Sequence, residues 1–378
     1  MNFLLLQLLG CLSVVLRVQE AATWNSSSTF QVFDSLLAFT THTKPKVRKA
    51  AQHAVCAILK GGGLSPHPAA TRTAQFCVRQ LETAGHTSSL HVLSLLKETL
   101  CTFPRAQLKV DELRDNPAAD DTGDALVVSC GMQALHSMLL ARPPAEALTP
   151  AINGQLVSAM YDYQPPPGDP QPTLAWLTVM QEAHANLARN DVCLCTANLP
   201  RLFLAVTQLW LSGRPEVMSG ATATLKVVVR DCIGPACAQE LLPRNEAALT
   251  KVFAAVESSL KYQYHMAWNH VLHILADLFE VMGATYQNLL MPCLRSLAEL
   301  RDSYKFSHAS DVEHAVGRAI RSMGPEIVLQ AIPLEITGQE ANYEFRRSWL
   351  LPVLRENIHG SSLQFYTQHF LPLAMNCR

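Results

Sequence analysis

The sequence predicts an all-α fold, a superhelical solenoid of antiparallel helix pairs of the HEAT or armadillo type, running as one continuous segment over residues 1–378. Three observations lead there. Apolar residues recur at helical spacing along nearly the whole chain, while the alternation typical of strands is scarce. Segments of helical pattern, 12–18 residues long, are divided by joins marked with Gly or Pro, such as Gly213-Arg214-Pro215, Gly234-Pro235 and Gly324-Pro325. These segments pair about every forty residues, the period of helical repeat arrays. The repeat lies in pattern rather than in letters, so a compact helical bundle is the competing arrangement.

The chain begins with the apolar run 3–16, Phe-Leu-Leu-Leu-Gln-Leu-Leu-Gly-Cys-Leu-Ser-Val-Val-Leu. It has the character of a secretory signal core, and Asn25-Ser26-Ser27 offers a glycosylation sequon. No Lys or Arg precedes the run, however, and no small-x-small cleavage site follows it. Closed by Arg17 and Glu20, it is too short to span a bilayer. A first solenoid helix packed on its neighbour accounts for the same residues. The next pair is better defined. Phe30, Val32, Phe33, Leu36, Leu37 and Phe39 mark one helix. Positions 47, 51, 54, 55 and 58 fall on one face of the second, with Lys49, Gln52, His53 and Lys60 opposite. Thr-His-Thr-Lys-Pro (41–45) divides them, and Pro45 suits a first helical turn, where its missing N–H costs little.

The same grammar predicts helices over 69–83, 88–101, 124–140, 148–162, 173–188, 199–211, 215–231, 246–260, 264–282, 285–300 and 310–322. Two stretches read as irregular loops. One is about 105–124, acidic and broken by Pro, where Asp120, Asp121 and Asp124 lack the alternation and terminal Glu of a calcium loop. The other is 164–172, Gln-Pro-Pro-Pro-Gly-Asp-Pro-Gln-Pro, a stiff connector.

Hydrophobic residues form 49% of the chain, enough for a large core, and charged residues only 16%, against roughly 25% in ordinary soluble domains. A net charge of −1 conceals segregation. Residues 41–110 hold ten Lys/Arg against Glu82 and Glu98, a balance of +8, and residues 111–191 carry −8. The basic block suits nucleic acid, although solvated helix faces also vary in sign. Its densest point is Lys44, Lys46, Arg48 and Lys49, four cations in six positions at a helix start, where the helix dipole disfavours them. The cluster admits two readings, a grip on phosphate or the polar entrance to a buried helix. With aromatics at 7%, mostly within apolar helices, no platform for stacking single-stranded bases is visible.

The predicted chemistry is non-enzymatic, without cofactor, metal or small-molecule substrate. The chain contains no Gly-rich phosphate loop, Gly-x-Ser-x-Gly elbow or His-Glu-x-x-His. Eleven cysteines, an odd number irregularly spaced, read as reduced core thiols, as at Cys56, Cys77, Cys101 and Cys130. Cys193, Cys195, Cys232 and Cys237 lack the two-residue spacing common in structural zinc sites. His265, His270 and His273 lie in an otherwise apolar segment, where packing or capping is expected of them.

Lys-Pro-Lys-Val-Arg-Lys-Ala-Ala-Gln-His-Ala-Val-Cys (44–56) resembles a stretch of the ribosomal RNA processing protein 12 family. Further matches follow in order: His67-Pro-Ala-Ala, Tyr161-Asp-Tyr, Leu174-Ala-Trp-Leu, Leu199-Pro-Arg-Leu-Phe, Phe253-Ala-Ala-Val-Glu, His265-Met-Ala-Trp, the run 323–335, Ser348-Trp-Leu-Leu-Pro-Val-Leu-Arg and Phe370-Leu-Pro-Leu-Ala. The resemblance spans about residue 10 to the C-terminus, and the runs 323–335 and 348–355 are its most specific parts. It implies a non-catalytic RNA- and protein-binding scaffold of the nucleus and nucleolus, acting in pre-rRNA processing and in maturation and export of small-subunit precursors. Implied partners are pre-ribosomal RNA, small-subunit precursor proteins and nuclear export factors. Members are much longer, so the chain is expected to be an internal portion or a shortened form. Lys44, Lys46, Arg48 and Lys49 are the candidate phosphate contacts. The alternative function is a nuclear transport-receptor-like adaptor that binds proteins and barely touches RNA; a secreted helical protein is the third reading.

Overall fold

The computed structural model describes residues 2–61, 67–83, 86–99, 102, 121–336 and 346–376. All regular structure among the described residues is helical, and the chain divides into two compact units, Met1–Asn186 and Leu187–Arg378.

The first unit contains α1 (Asn2–Arg17), α2 (Ser27–Ala38), α3 (Pro45–Lys60), α4 (Ala70–Thr83), α5 (His86–Thr99), α6 (Asp121–Leu140), α7 (Pro150–Met160) and most of α8 (Pro170–Asn190). Helix α3 packs side by side with α1 and with α5, each next but one in sequence, the arrangement of a repeat stack. At one end of α1 and α3, the Arg17 side chain lies against Gly61. Gln52 Nε2 donates to His91 O at 2.9 Å, and Cys56 Sγ lies 3.7 Å from Glu98 O. Both pairings advance in the same sense, so α3 and α5 run parallel. Across from them Arg72 of α4 grips Asp34 of α2 through two bonds, at 2.6 and 2.5 Å. Buried Trp24, edge-on to Phe30, Phe33 and His67, fills the space beneath.

The apolar run at the start of the chain is α1. It buries Leu9 and Leu16 in the same core as Val47, Ala51, Val55 and Ile58 of α3, and thus forms a stack helix. Helix α7 pairs with α8 antiparallel: Asn153 Nδ2 reaches Ala183 O at 3.1 Å, and Trp176 Nε1 reaches Met160 O at 2.7 Å.

The second unit contains α9 (Val192–Gln208), α10 (Pro215–Val228), the single turn α11 (Gly234–Ala236), α12 (Leu242–Glu257), α13 (Trp268–Met282), α14 (Gln287–Asp302), α15 (Ala309–Met323), α16 (Pro325–Ala331), α17 (Leu350–Asn357), the turn α18 (Leu363–Phe365) and α19 (Leu371–Asn376). Here α10, α13, α15 and α17 line up as one layer, with α9 against α12 and α14 against α16. Ser322 Oγ donates to Phe279 O at 2.6 Å where α15 crosses α13 beside Gly283. Helix α9 with its 3-10 extension, Val192–Leu211, is long and apolar enough to cross a membrane, yet Leu199, Leu202, Phe203 and Val206 are fully buried within the unit.

Among the element boundaries that depart from the sequence reading, three are instructive. Helix α9 begins at Val192 rather than 199, one residue after α8 ends. No Gly or Pro marks this turn. Asp191 makes it, adopting an extended φ of −155° while its carboxylate accepts the Leu194 N–H at 2.9 Å. The loop predicted at 164–172 ends at Asp169, because Pro170 opens α8. Of the loop predicted at about 105–124, all but the end lies outside the described residues; its last four, 121–124, belong to α6.

Candidate nucleic-acid interface

The start of α3 is positioned by its own side chains. The preceding 3-10 turn, Phe39–Thr41, is buried at Thr40, whose hydroxyl donates to Leu37 O at 2.6 Å. Gln52 Nε2 donates to Thr40 O at 3.1 Å as well as to His91 O, fastening the turn to both α3 and α5. Arg48 Nη1 donates to His42 O at 2.9 Å and Thr43 O at 3.3 Å. The Lys44 N–H donates to His42 Nδ1 at 3.0 Å, and Pro45 follows at the first helical position.

This geometry separates the four candidate cations. Lys44, Lys46 and Lys49 are exposed, whereas half-buried Arg48 has its guanidinium committed to the carbonyls of residues 42 and 43. Lys46 and Lys49, three apart, share a face of the first turns, and neither forms an ion pair among the described residues. Burial lowers the pKa of His91, the Arg48 charge lowers it further, and a hydrogen bond with the Thr41 backbone opposes both. A neutral imidazole thus sits behind the cluster, and the outward charge comes from the lysines.

The other residues singled out from the sequence have structural partners. His270 Nδ1 lies 2.9 Å from Thr222 Oγ1, the group that accepts from Trp210 Nε1 at 3.0 Å. His273 Nε2 is 3.9 Å from Asp311 Oδ1, and its ring lies 6.0 Å from that of His314. His265 is exposed in the 3-10 segment Tyr262–Ala267 before α13 and does not join them. Burial lowers the pKa of His270 and of His314 and raises that of Asp277, the last opposed by Lys226 and Arg318. A polar seam therefore crosses α10, α13 and α15. Sequence reasoning found only two of its members, since they are spread over nearly a hundred positions and meet only through parallel stacking. No group of three or more His, Cys, Asp or Glu side chains among the described residues is arranged to hold a metal.

Of the four cysteines considered together, Cys195 and Cys232 are buried and in contact. The hydrogen bond between them, with burial, pushes the Cys195 thiol well up. Burial pushes Cys237 up to about 11. Thiols so shifted stay protonated at neutral pH. The side chains of Cys101 and Cys130 lie outside the described residues.

Two family models match this chain: "RRP12-like, N-terminal HEAT repeats" over residues 4–107, and "Ribosomal RNA-processing protein 12, HEAT repeats" over residues 211–378. An RRP12-like protein of Gallus gallus is 44% identical over 97% of the chain, which covers 29% of that relative. One of Homo sapiens is 42% identical with the same coverage. The ribosomal RNA-processing protein 12 of Saccharomyces cerevisiae is 20% identical over 96% of the chain and 33% of its own length. The chain thus spans about a third or less of the length of these relatives.

Proposed function

The chain belongs to the ribosomal RNA-processing protein 12 family of HEAT-repeat proteins, and on that premise we propose that it serves ribosome biogenesis as a non-catalytic scaffold in the nucleus and nucleolus. In this reading it binds pre-ribosomal RNA and small-subunit precursor proteins during pre-rRNA processing, maturation and export, with export factors among its partners. The observation that carries the RNA part is the outward presentation of Lys44, Lys46 and Lys49 on a helix start held rigid by Gln52 and Arg48. Lysines in such an array neutralise backbone phosphates and supply affinity without sequence preference. Arg48 contributes by holding the turn, its guanidinium committed to the carbonyls of residues 42 and 43.

Sedimentation of the tagged chain on a gradient, with and without nuclease, tests the proposal. Co-migration with small-subunit precursors that nuclease abolishes is the expected result. Co-migration that survives nuclease would favour a protein adaptor, and a folded nuclear chain remaining at the top in both runs would overturn the scaffold reading.

A further inference from the structure

The second unit carries an exposed aromatic and cationic edge that lies apart in sequence from the lysine cluster. Three joins form it: 209–214 between α9 and α10, 258–267 between α12 and α13, and 303–308 between α14 and α15. Contacts between the joins place them side by side. Gln208 Nε2, next to the first, donates to Tyr264 Oη in the second at 3.0 Å. Trp268, which closes the second, packs on Phe306 and His308 in the third, at 5.6 and 6.5 Å between ring centres.

Two tyrosines project from this edge, Tyr262 at 76% and Tyr304 at 87% exposure. Each is held by a neighbour. Tyr262 stacks on His265, with ring centres 4.9 Å apart and planes 11° from parallel. Lys305 Nζ sits 5.0 Å from the centre of the Tyr304 ring. Lys305 itself occupies the left-handed region at φ 57°, which turns the chain sharply at this point. Exposed Arg214, Lys261 and Lys305 supply one cation per join, and none is in an ion pair among the described residues. The three joins contain no Asp or Glu. The nearby acids Glu257 and Glu299 line one groove together with Lys261.

Flat rings open to solvent, interleaved with cations on joins that contain no acid, form a surface suited to bases and phosphates together. We propose that this edge binds single-stranded RNA, stacking bases on Tyr262 and Tyr304 while Arg214, Lys261 and Lys305 follow the backbone. The proposal rests on the RNA-binding reading above and adds a second site that selects unpaired RNA. Composition gave no sign of it, since the two tyrosines are far apart in sequence and only stacking aligns their joins.

Fluorescence anisotropy with a labelled oligouridine, and with an RNA duplex for comparison, tests it on the full chain. Base–aromatic stacking accounts for roughly a fivefold or larger change in affinity per base, so Tyr262→Ala with Tyr304→Ala should weaken oligouridine binding by about 25-fold or more. Duplex binding and the salt dependence should stay unchanged, because stacking releases no counterions. Tyr262→Phe with Tyr304→Phe should bind as wild type, and unaltered circular dichroism would confirm folding. Equal oligouridine affinity in wild type and the alanine variant would overturn this site alone and leave the edge to a protein contact. Absence of any RNA binding by wild type would overturn both this site and the scaffold's RNA contact.

Discussion

Replacing Lys44, Lys46 and Lys49 with alanine should flatten the salt dependence of RNA binding without harming the fold. Three exposed side chains are removed, and Arg48 and Gln52, which fasten the turn at residues 40–44, are kept. Each phosphate neutralised on a single strand contributes about 0.7 to the slope of log affinity against log salt, so the triple variant should lose about 2 from that slope. Over a fourfold rise in salt, wild type should therefore lose about 20-fold more affinity than the variant. Arg48→Ala is the contrast. Its guanidinium donates to two backbone carbonyls, so its loss should cost about 1.5–3 kcal/mol of stability while the slope changes little. The assay is anisotropy across a salt titration, paired with urea unfolding. An unchanged slope in the triple variant would refute the reasoning, as would a slope change in Arg48→Ala as large as that of a lysine.

Three further outcomes concern stability. His184 is fully buried in α8, with Nδ1 2.7 Å from Met180 O, and burial lowers its pKa to about 4 from the ordinary 6.5. Stability from a depressed pKa is complete above 6.5 and is lost as pH falls towards 4, here on the order of 3 kcal/mol. His184→Gln should remove that dependence in urea melts across this window, and an unchanged slope would refute the assignment. Asp302, its side chain 1% exposed, accepts from Arg347 Nε at 3.2 Å and Trp349 Nε1 at 2.9 Å. Asp302→Ala removes the acceptor that Arg347 and Trp349 share, while Arg347 keeps Glu335 Oε1 at 3.2 Å and Pro333 O at 2.9 Å; it should cost about 1–3 kcal/mol, and a loss below about 0.5 kcal/mol by chemical unfolding would contradict this. A Cβ at Gly283 would collide with the Ser322 side chain at the α13–α15 crossing. Gly283→Ala should therefore destabilise by about 1–3 kcal/mol, and Ser322→Ala should recover part of that loss if the crossing is the cause.

Most helices were legible in the sequence because burying one face of a stacked helix forces an apolar stripe at 3.6-residue spacing. The joins were legible where backbone conformation demanded a particular residue: Gly324, at φ 88°, ends α15 in the left-handed region, and Pro325 opens α16. The same demand explains part of the run 323–335, while the run 348–355 includes Trp349, the anchor on Asp302. The α8–α9 turn was missed because a single Asp191 makes it through its φ and its cap, with no breaker residue to announce it.

The candidate site was only half legible. Four cations in six positions are plain in the letters, but which of them face water depends on where neighbouring carbonyls lie. The fold decided that by turning Arg48 back onto residues 42 and 43. The polar seam and the tyrosine edge join residues from separate helices and joins, and no local pattern encodes such a meeting. By itself, then, the sequence determined the fold class, the helices and the family resemblance, because periodicity and backbone preference act over a few residues. Tertiary structure alone decided which charges are committed, which rings are exposed and which distant joins share an edge, because those follow from the stacking of helices next but one in the chain.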